Sequence, residues 1–186
     1  MRLEPHQTTP NHVNKRSDSR SKRYQTTYLD TKTKVTQLVE EKLAEPDFEN
    51  CFLLDVELPS PTRINVFLDS DTGVTFTECR RVSRHVEAVL DEEGFAGGKY
   101  TIEVSSPGAT RPLRVPRQYP KHVGRKLEVK RHDADTVEGT LLRVSDGGVV
   151  IEEKIVRKEG KKKIREKLET EIPFEQIREA RVKLAF

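Results

Sequence analysis

The stretch Tyr100–Leu113, YTIEVSSPGATRPL, sets a boundary that any fold of this chain must respect. Tyr100, Ile102 and Val104 alternate with Thr101, Glu103 and Ser105, the two-residue period of a strand with one face on a core. Pro107 then fixes φ and Gly108 tolerates φ > 0, so the strand ends in a tight turn after Ser105 and Ser106. Arg111-Pro112 leaves that turn as an extended dipeptide carrying a guanidinium. Two hydroxyls, a glycine and an arginine at one turn can hold an anion; a capped turn leaving a domain uses the same residues.

Upstream of this boundary, helical and strand periods alternate. Val35, Leu38, Val39, Lys42 and Leu43 follow an i, i+3, i+4 stripe from Thr31, and Pro46 stops it. Cys51–Leu58 alternates next, with Phe52, Leu54, Val56 and Leu58 expected on one face and Leu53, Asp55 and Glu57 on the other. Pro59-Ser60-Pro61 turns the chain into Arg63–Asp69, where Ile64, Val66 and Leu68 repeat the alternation, so an antiparallel hairpin is predicted. Asp69 and Asp71 lack the further carboxylates of a calcium loop and read as turn formers. Thr75 and Glu78 form a capping box. The helix it opens turns Cys79, Val82, Val86, Val89 and Leu90 to the sheet and Arg80, Arg81 and Arg84 to the opposite side. Those arginines are placed to meet phosphate, although a solvated helix face is the commoner meaning of such a cluster. Gly94–Lys99 is not a P-loop, because it runs from helix to strand and Tyr100 stands where Ser or Thr would bind magnesium. The order α, β, β, α, β predicts an α+β domain with a three-stranded sheet and both helices on one face.

Downstream of Leu113 the pattern is strands only. Val115–His122 is a connector with a helical turn, and strands are expected at Lys126–Arg131, Val137–Val144, Val149–Glu153, Leu168–Ile172 and Ala180–Phe186. Ser145–Gly148 is a hairpin turn, and Pro173–Gln176 is a short helical turn before the last strand. Five short strands in so few residues favour a small closed barrel, which hides its edges. Residues 154–167 add a protruding basic hairpin that includes Lys158, Lys161, Lys162, Lys163 and Arg165.

Charge separates the segments more sharply than the overall net charge of +3 suggests. Residues 1–24 hold 6 basic against 2 acidic residues (+4), 25–112 hold 9 against 16 (−7), and 113–186 hold 19 against 13 (+6). The expected division is therefore a disordered basic tail (1–24), an acidic α+β domain (25–112) and a basic small barrel (113–186). Attraction to nucleic acid should come from the two ends, whereas the acidic middle suits a basic protein partner. With 33% hydrophobic and 35% charged residues, only small cores are possible. Cys51 and Cys79 form no CxxC and the histidines no ligand spacing, so neither metal nor cofactor is expected. No apolar run suits a membrane span or a signal-peptide core, and a reducing cytosol is the simplest compartment.

Three separated segments, GVTFTECRRVSR, EVSSPGATRPL and IPFEQIREARVKLAF, together resemble the ribosome maturation factor RimP family. The resemblance implies the same α-β-β-α-β domain followed by an SH3-like, Sm-type barrel. It further implies a non-enzymatic factor on the free small ribosomal subunit, its barrel engaging a ribosomal protein near the decoding region and the complex lying on rRNA; a cytoplasmic monomer is expected. Two departures stand out: the hairpin at 154–167 is longer than is usual in that family, and Ala109-Thr110 replaces the usual Leu-Asp. On this basis Ser105, Ser106, Pro107, Gly108, Arg111 and Pro112 are expected to set the angle between two binding modules, with rRNA contact from Arg111 secondary. The alternatives are a general RNA-binding module and a small phosphate-ester hydrolase using Ser105, Ser106 and Arg111.

Overall fold

The computed structural model describes residues 15–108, 111–132, 135–159 and 162–183, apart from the side chains of 15–27 and 156–164. It is a mixed α+β structure with a three-stranded sheet and a separate five-stranded antiparallel sheet. The first part comprises α1 (Lys15–Leu43), β1 (Cys51–Ser60), β2 (Arg63–Ser70), α2 (Phe76–Glu92) and β3 (Thr101–Ser105). Helix α1 begins at Lys15, not at Thr31, and so takes in residues expected to form a disordered tail. Residues 15–34 contain no Gly or Pro to interrupt it, so the helix can run on past its apolar stripe. The expected stops and caps are present. Pro46 opens a short 3₁₀ turn after α1, and at α2 the Thr75 side chain accepts from the Glu78 amide while Glu78 reaches back to Thr75.

β1 and β2 pair antiparallel, and β3 joins β2 in parallel after the α2 crossover. β1 is therefore an edge strand, where Pro59 costs no ladder bond. One core cluster joins Val35, Leu38 and Val39 of α1, Val82, Val86 and Leu90 of α2, and Val56, Ile64, Val66 and Leu68 of the sheet. The alternation expected along β1 fails at one point. Leu53 pairs with Leu68 but Asp55 with Phe67, so Leu54 is an extra residue, a β-bulge. The bulge resets which side chains face the core: Leu53 packs with Val56 and Leu58 against the core cluster, and Phe52 leaves it. Phe52 thereby joins Asp55 and Glu57 on the side of the sheet away from the helices.

The second part comprises β4 (Lys126–Arg131), β5 (Val137–Val144), β6 (Gly148–Glu159), β7 (Lys162–Pro173) and β8 (Ile177–Val182), ordered β7-β6-β5-β4-β8. Tyr119, Leu127, Val129, Val137, Leu141, Val149, Ile151, Ile172 and Ala180 form its own core. Gly139 allows β5 and β6 to approach closely, since a Cβ there would stand 2.2 Å from the Glu152 carbonyl oxygen. β6 and β7 run well beyond the expected Val149–Glu153 and Leu168–Ile172, pairing residue for residue from Gly148↔Pro173 to Glu159↔Lys162. Closure is not observed: among the described residues β7 and β8 are the sheet's edges and do not pair with each other. The last strand begins at Ile177, earlier than Ala180, and residues 184–186 of the expected strand lie outside the described residues.

Candidate functional site

The sequence-predicted turn lies where the two sheets meet. β3 ends at Ser105, and Gly108 adopts φ 73°, the left-handed conformation that glycine reaches without strain. Ala109 and Thr110 lie outside the described residues. Arg111 lies with its guanidinium carbon 3.6 Å from the Phe67 ring centroid and donates to Glu57 Oε1 at 3.2 Å. Past Pro112, Leu113 bridges to Ala180 of β8, its amide donating to the Ala180 carbonyl at 2.8 Å. One short segment therefore touches the outer face of the first sheet and then enters the second.

Residues 114–121 extend the same contact. The Arg114 Nη1 donates to Asp55 Oδ2 at 2.6 Å, on a carboxylate that Lys32 of α1 also reaches at 3.2 Å. Arg117 forms a two-pronged pair with Asp71, both contacts 2.8 Å, donates to the Glu49 carbonyl at 3.0 Å, and lies 4.7 Å from the Phe52 ring centroid. The bulge at Leu54 is what turns Phe52 out to receive it. Gln118, 2% exposed, accepts from the Arg114 amide at 2.7 Å and donates to Asp69 Oδ2 at 2.8 Å. Lys121 pairs with Asp69, 4% exposed, and donates to the Ser70 carbonyl at 2.9 Å. Two 3₁₀ turns, Pro116–Gln118 and Pro120–His122, bring these side chains round to one side, and Tyr119 between them is buried edge-on against Phe174, 5.2 Å between ring centres.

The electrostatics follow from that geometry. Burial opposes the Asp55 charge, but the hydrogen bonds and proximity of Lys32 and Arg114 outweigh it and hold the carboxyl below its ordinary value. The hydrogen bond from Arg117 does the same for Asp71 against a weaker burial effect. Beside the seam, the Ser106–Gly108 turn, Arg111, Lys121, His122 and Arg125 border a cleft of about 250 Å³. Burial, then Lys121 and Arg125, push the His122 pKa down, and its Nδ1 is buried without a hydrogen-bond partner.

The other predicted residues separate. Arg81 is held by Asp47 at 3.0 Å and Glu45 at 3.4 Å, over the Phe48 ring at 4.6 Å. Arg80 and Arg84 are exposed, and Arg80 lies 6.0 Å from the ring centroid of the exposed Phe76. In the basic hairpin Arg165 is exposed, while the side chains of Lys158, Lys161, Lys162 and Lys163 lie outside the described residues. Cys51 and Cys79 are buried, and burial, aided by Glu78, raises both thiols, Cys51 to about 11. Among the described residues no cluster of His, Cys, Asp and Glu is arranged to hold a metal ion, and no helix is long and apolar enough to cross a membrane.

Sequence reasoning missed Phe52, Asp55, Asp69, Asp71, Arg114, Arg117, Gln118 and Lys121 as a unit. A signal was present: Arg111, Arg114, Arg117 and Lys121 recur every three or four residues, the spacing of one face of a turning segment. Asp69 and Asp71, expected only to form a turn, are the main carboxylates of the seam.

An α+β fold of two sheets, joined by a charged and aromatic seam at an SSPG turn, defines the class. Residues 38–110 match the RimP N-terminal domain. Over 151 residues the chain is 37% identical to the ribosome maturation factor RimP of Christiangramia forsetii, covering 78% of this chain and 96% of that protein. The factors of the same name from Flavobacterium psychrophilum (38% over 121 residues, 65% of this chain and 75% of the relative) and Cytophaga hutchinsonii (35% over 127 residues, 66% and 72%) are similar too. The chain belongs to the ribosome maturation factor RimP family.

Proposed function

We propose that this protein binds the free small ribosomal subunit during its maturation, contacting rRNA and a ribosomal protein near the decoding region, and that it does so in the cytoplasm as a monomer without cofactor. The observation that carries the proposal is the match along 96% of a relative named a ribosome maturation factor. In this reading residues 25–112 and 113–186 are two binding modules, the second a small SH3-like barrel; the five-stranded order and the single core within it support that assignment. Ser105, Ser106, Pro107, Gly108, Arg111 and Pro112 set the angle between the modules. Arg111 supports this role because Phe67 and Glu57 already engage its guanidinium. Arg80, Arg84 and the hairpin cations Lys158, Lys161, Lys162, Lys163 and Arg165 supply the phosphate contacts, and Arg81 serves the fold of its own module.

Sedimentation of cell extracts tests this directly. The protein should travel with free and immature small subunits and be absent from translating ribosomes; sedimentation only with translating ribosomes, or with neither, rejects the proposal. Phosphate-ester hydrolysis by the purified protein, abolished by Ser105→Ala with Ser106→Ala while subunit binding persists, would assign the turn a catalytic role instead.

A further inference from the structure

We infer that the outward stripe of α2, made of Phe76, Arg80 and Arg84, is a contact for single-stranded RNA: an unpaired base stacks on Phe76 and the adjoining phosphates lie against the two arginines. Phe76 is 80% exposed, more than the other exposed large apolar side chains of the described residues, Leu29, Val123 and Leu168. An aromatic ring in water forgoes the gain of burial, and here it is offered at the first turn of a helix that the capping box fixes in place. Arg80 follows one turn later, its guanidinium carbon 6.0 Å from the ring centroid, and Phe76 remains 80% exposed. Arg84 follows after one more turn.

Residues four apart on a helix are displaced by about 6 Å along its axis, so the three side chains form a line with that step. A duplex hides the base faces in its own stack, whereas an unpaired base presents one to an aromatic platform. The charges are available: Arg80 and Arg84 have no ion pair among the described residues, unlike Arg81 between them. Neighbouring carboxylates are engaged elsewhere, Glu78 with Thr75, Glu87 with Ser83 and Asp91 with Tyr100. An acidic peptide would use the arginines and leave the ring idle, so the combination favours RNA. The inference builds on the proposed ribosomal role, and its test separates the two.

The chain has no tryptophan, so Phe76→Trp places a single indole at the site. Because the side chain is exposed, the variant should fold, which circular dichroism checks. Titration of the full chain with a short oligoadenylate should quench its emission, and an abasic strand of equal length should not. Arg80→Ala with Arg84→Ala in the Phe76→Trp background should lower the log-log salt slope by about 1.4, two contacts at about 0.7 each. Phe76→Ala should weaken oligoadenylate binding by about tenfold. Val123→Trp, exposed just past the connector whose cations the first sheet engages, is the control and should stay unquenched. Lack of quenching at position 76, quenching that ignores the arginines, or equal quenching by polyglutamate each overturns the inference. If the protein still travels with free small subunits in those cases, only the stripe is rejected. Quenching without such co-sedimentation leaves the stripe standing and rejects the ribosomal role.

Discussion

Arg111, Arg114, Arg117 and Lys121 leave the connector in succession, and each ends on a carboxylate of the first sheet or of the loop directly after β2; Arg80 and Arg84 leave α2 and end in solvent. The two sets carry the same kind of charge. The first is consumed inside the molecule, where bidentate geometry, aromatic stacking and partial burial make it part of the fold. The second has no such role and remains free for a partner. The surplus of acid in residues 25–112 changes meaning accordingly. A share of it, Asp55, Glu57, Asp69 and Asp71, is answered by the chain's own cations and is not a face kept for a basic protein.

The largest expected effect is at the most buried carboxylate. Asp69→Ala leaves Lys121 and Gln118 without their partner and should cost about 3 kcal/mol in urea denaturation; a loss below about 1 kcal/mol would show that the seam does not hold the fold. Arg117→Ala removes a half-exposed pair and the cover over Phe52, for about 1–2 kcal/mol, and Arg117→Lys should recover less than half because it lacks the planar fork. Acid provides a third comparison. Asp55 and Asp71 have folded pKa values below their ordinary 3.8, so their stabilisation is full above that value and is lost as the pH falls through the lower folded values. The urea midpoint should therefore drop more steeply below pH 3.8 in the wild type than in Arg117→Ala; parallel curves would separate Asp71 from the seam's stability. The smallest effect belongs to the other set. Arg80→Ala with Arg84→Ala should alter stability by no more than about 0.5 kcal/mol, whatever it does to RNA binding.

Much of this architecture is legible in the sequence, because local rules specify it. The Thr75–Glu78 box, Pro46, and the alternation in Arg63–Asp69, Lys126–Arg131 and Val137–Val144 each depend on residues a few positions apart. The seam is not local. Its ion pairs join residues 46 to 59 positions apart, and its aromatic support depends on a bulge that inverts the parity of β1 after one residue. Composition gave the extra length of α1 no apolar stripe to reveal it, and the extended pairing of β6 with β7 runs through the charged stretch expected as a protruding basic hairpin, where no apolar alternation marks how far the strands reach. The arginines of α2 were visible as a cluster, but only the fold shows that Arg81 turns to Asp47 and Glu45 while Arg80 and Arg84 do not.

Crosslinking of the full chain to the free small subunit, read at residue level, tests the division between these two regions most directly. RNA adducts should map to α2 around Phe76, Arg80 and Arg84, with protein or RNA adducts on the second sheet, while the connector 114–121 stays unlabelled because its cations are engaged by the first sheet. Adducts concentrated on the connector with α2 unlabelled would contradict it.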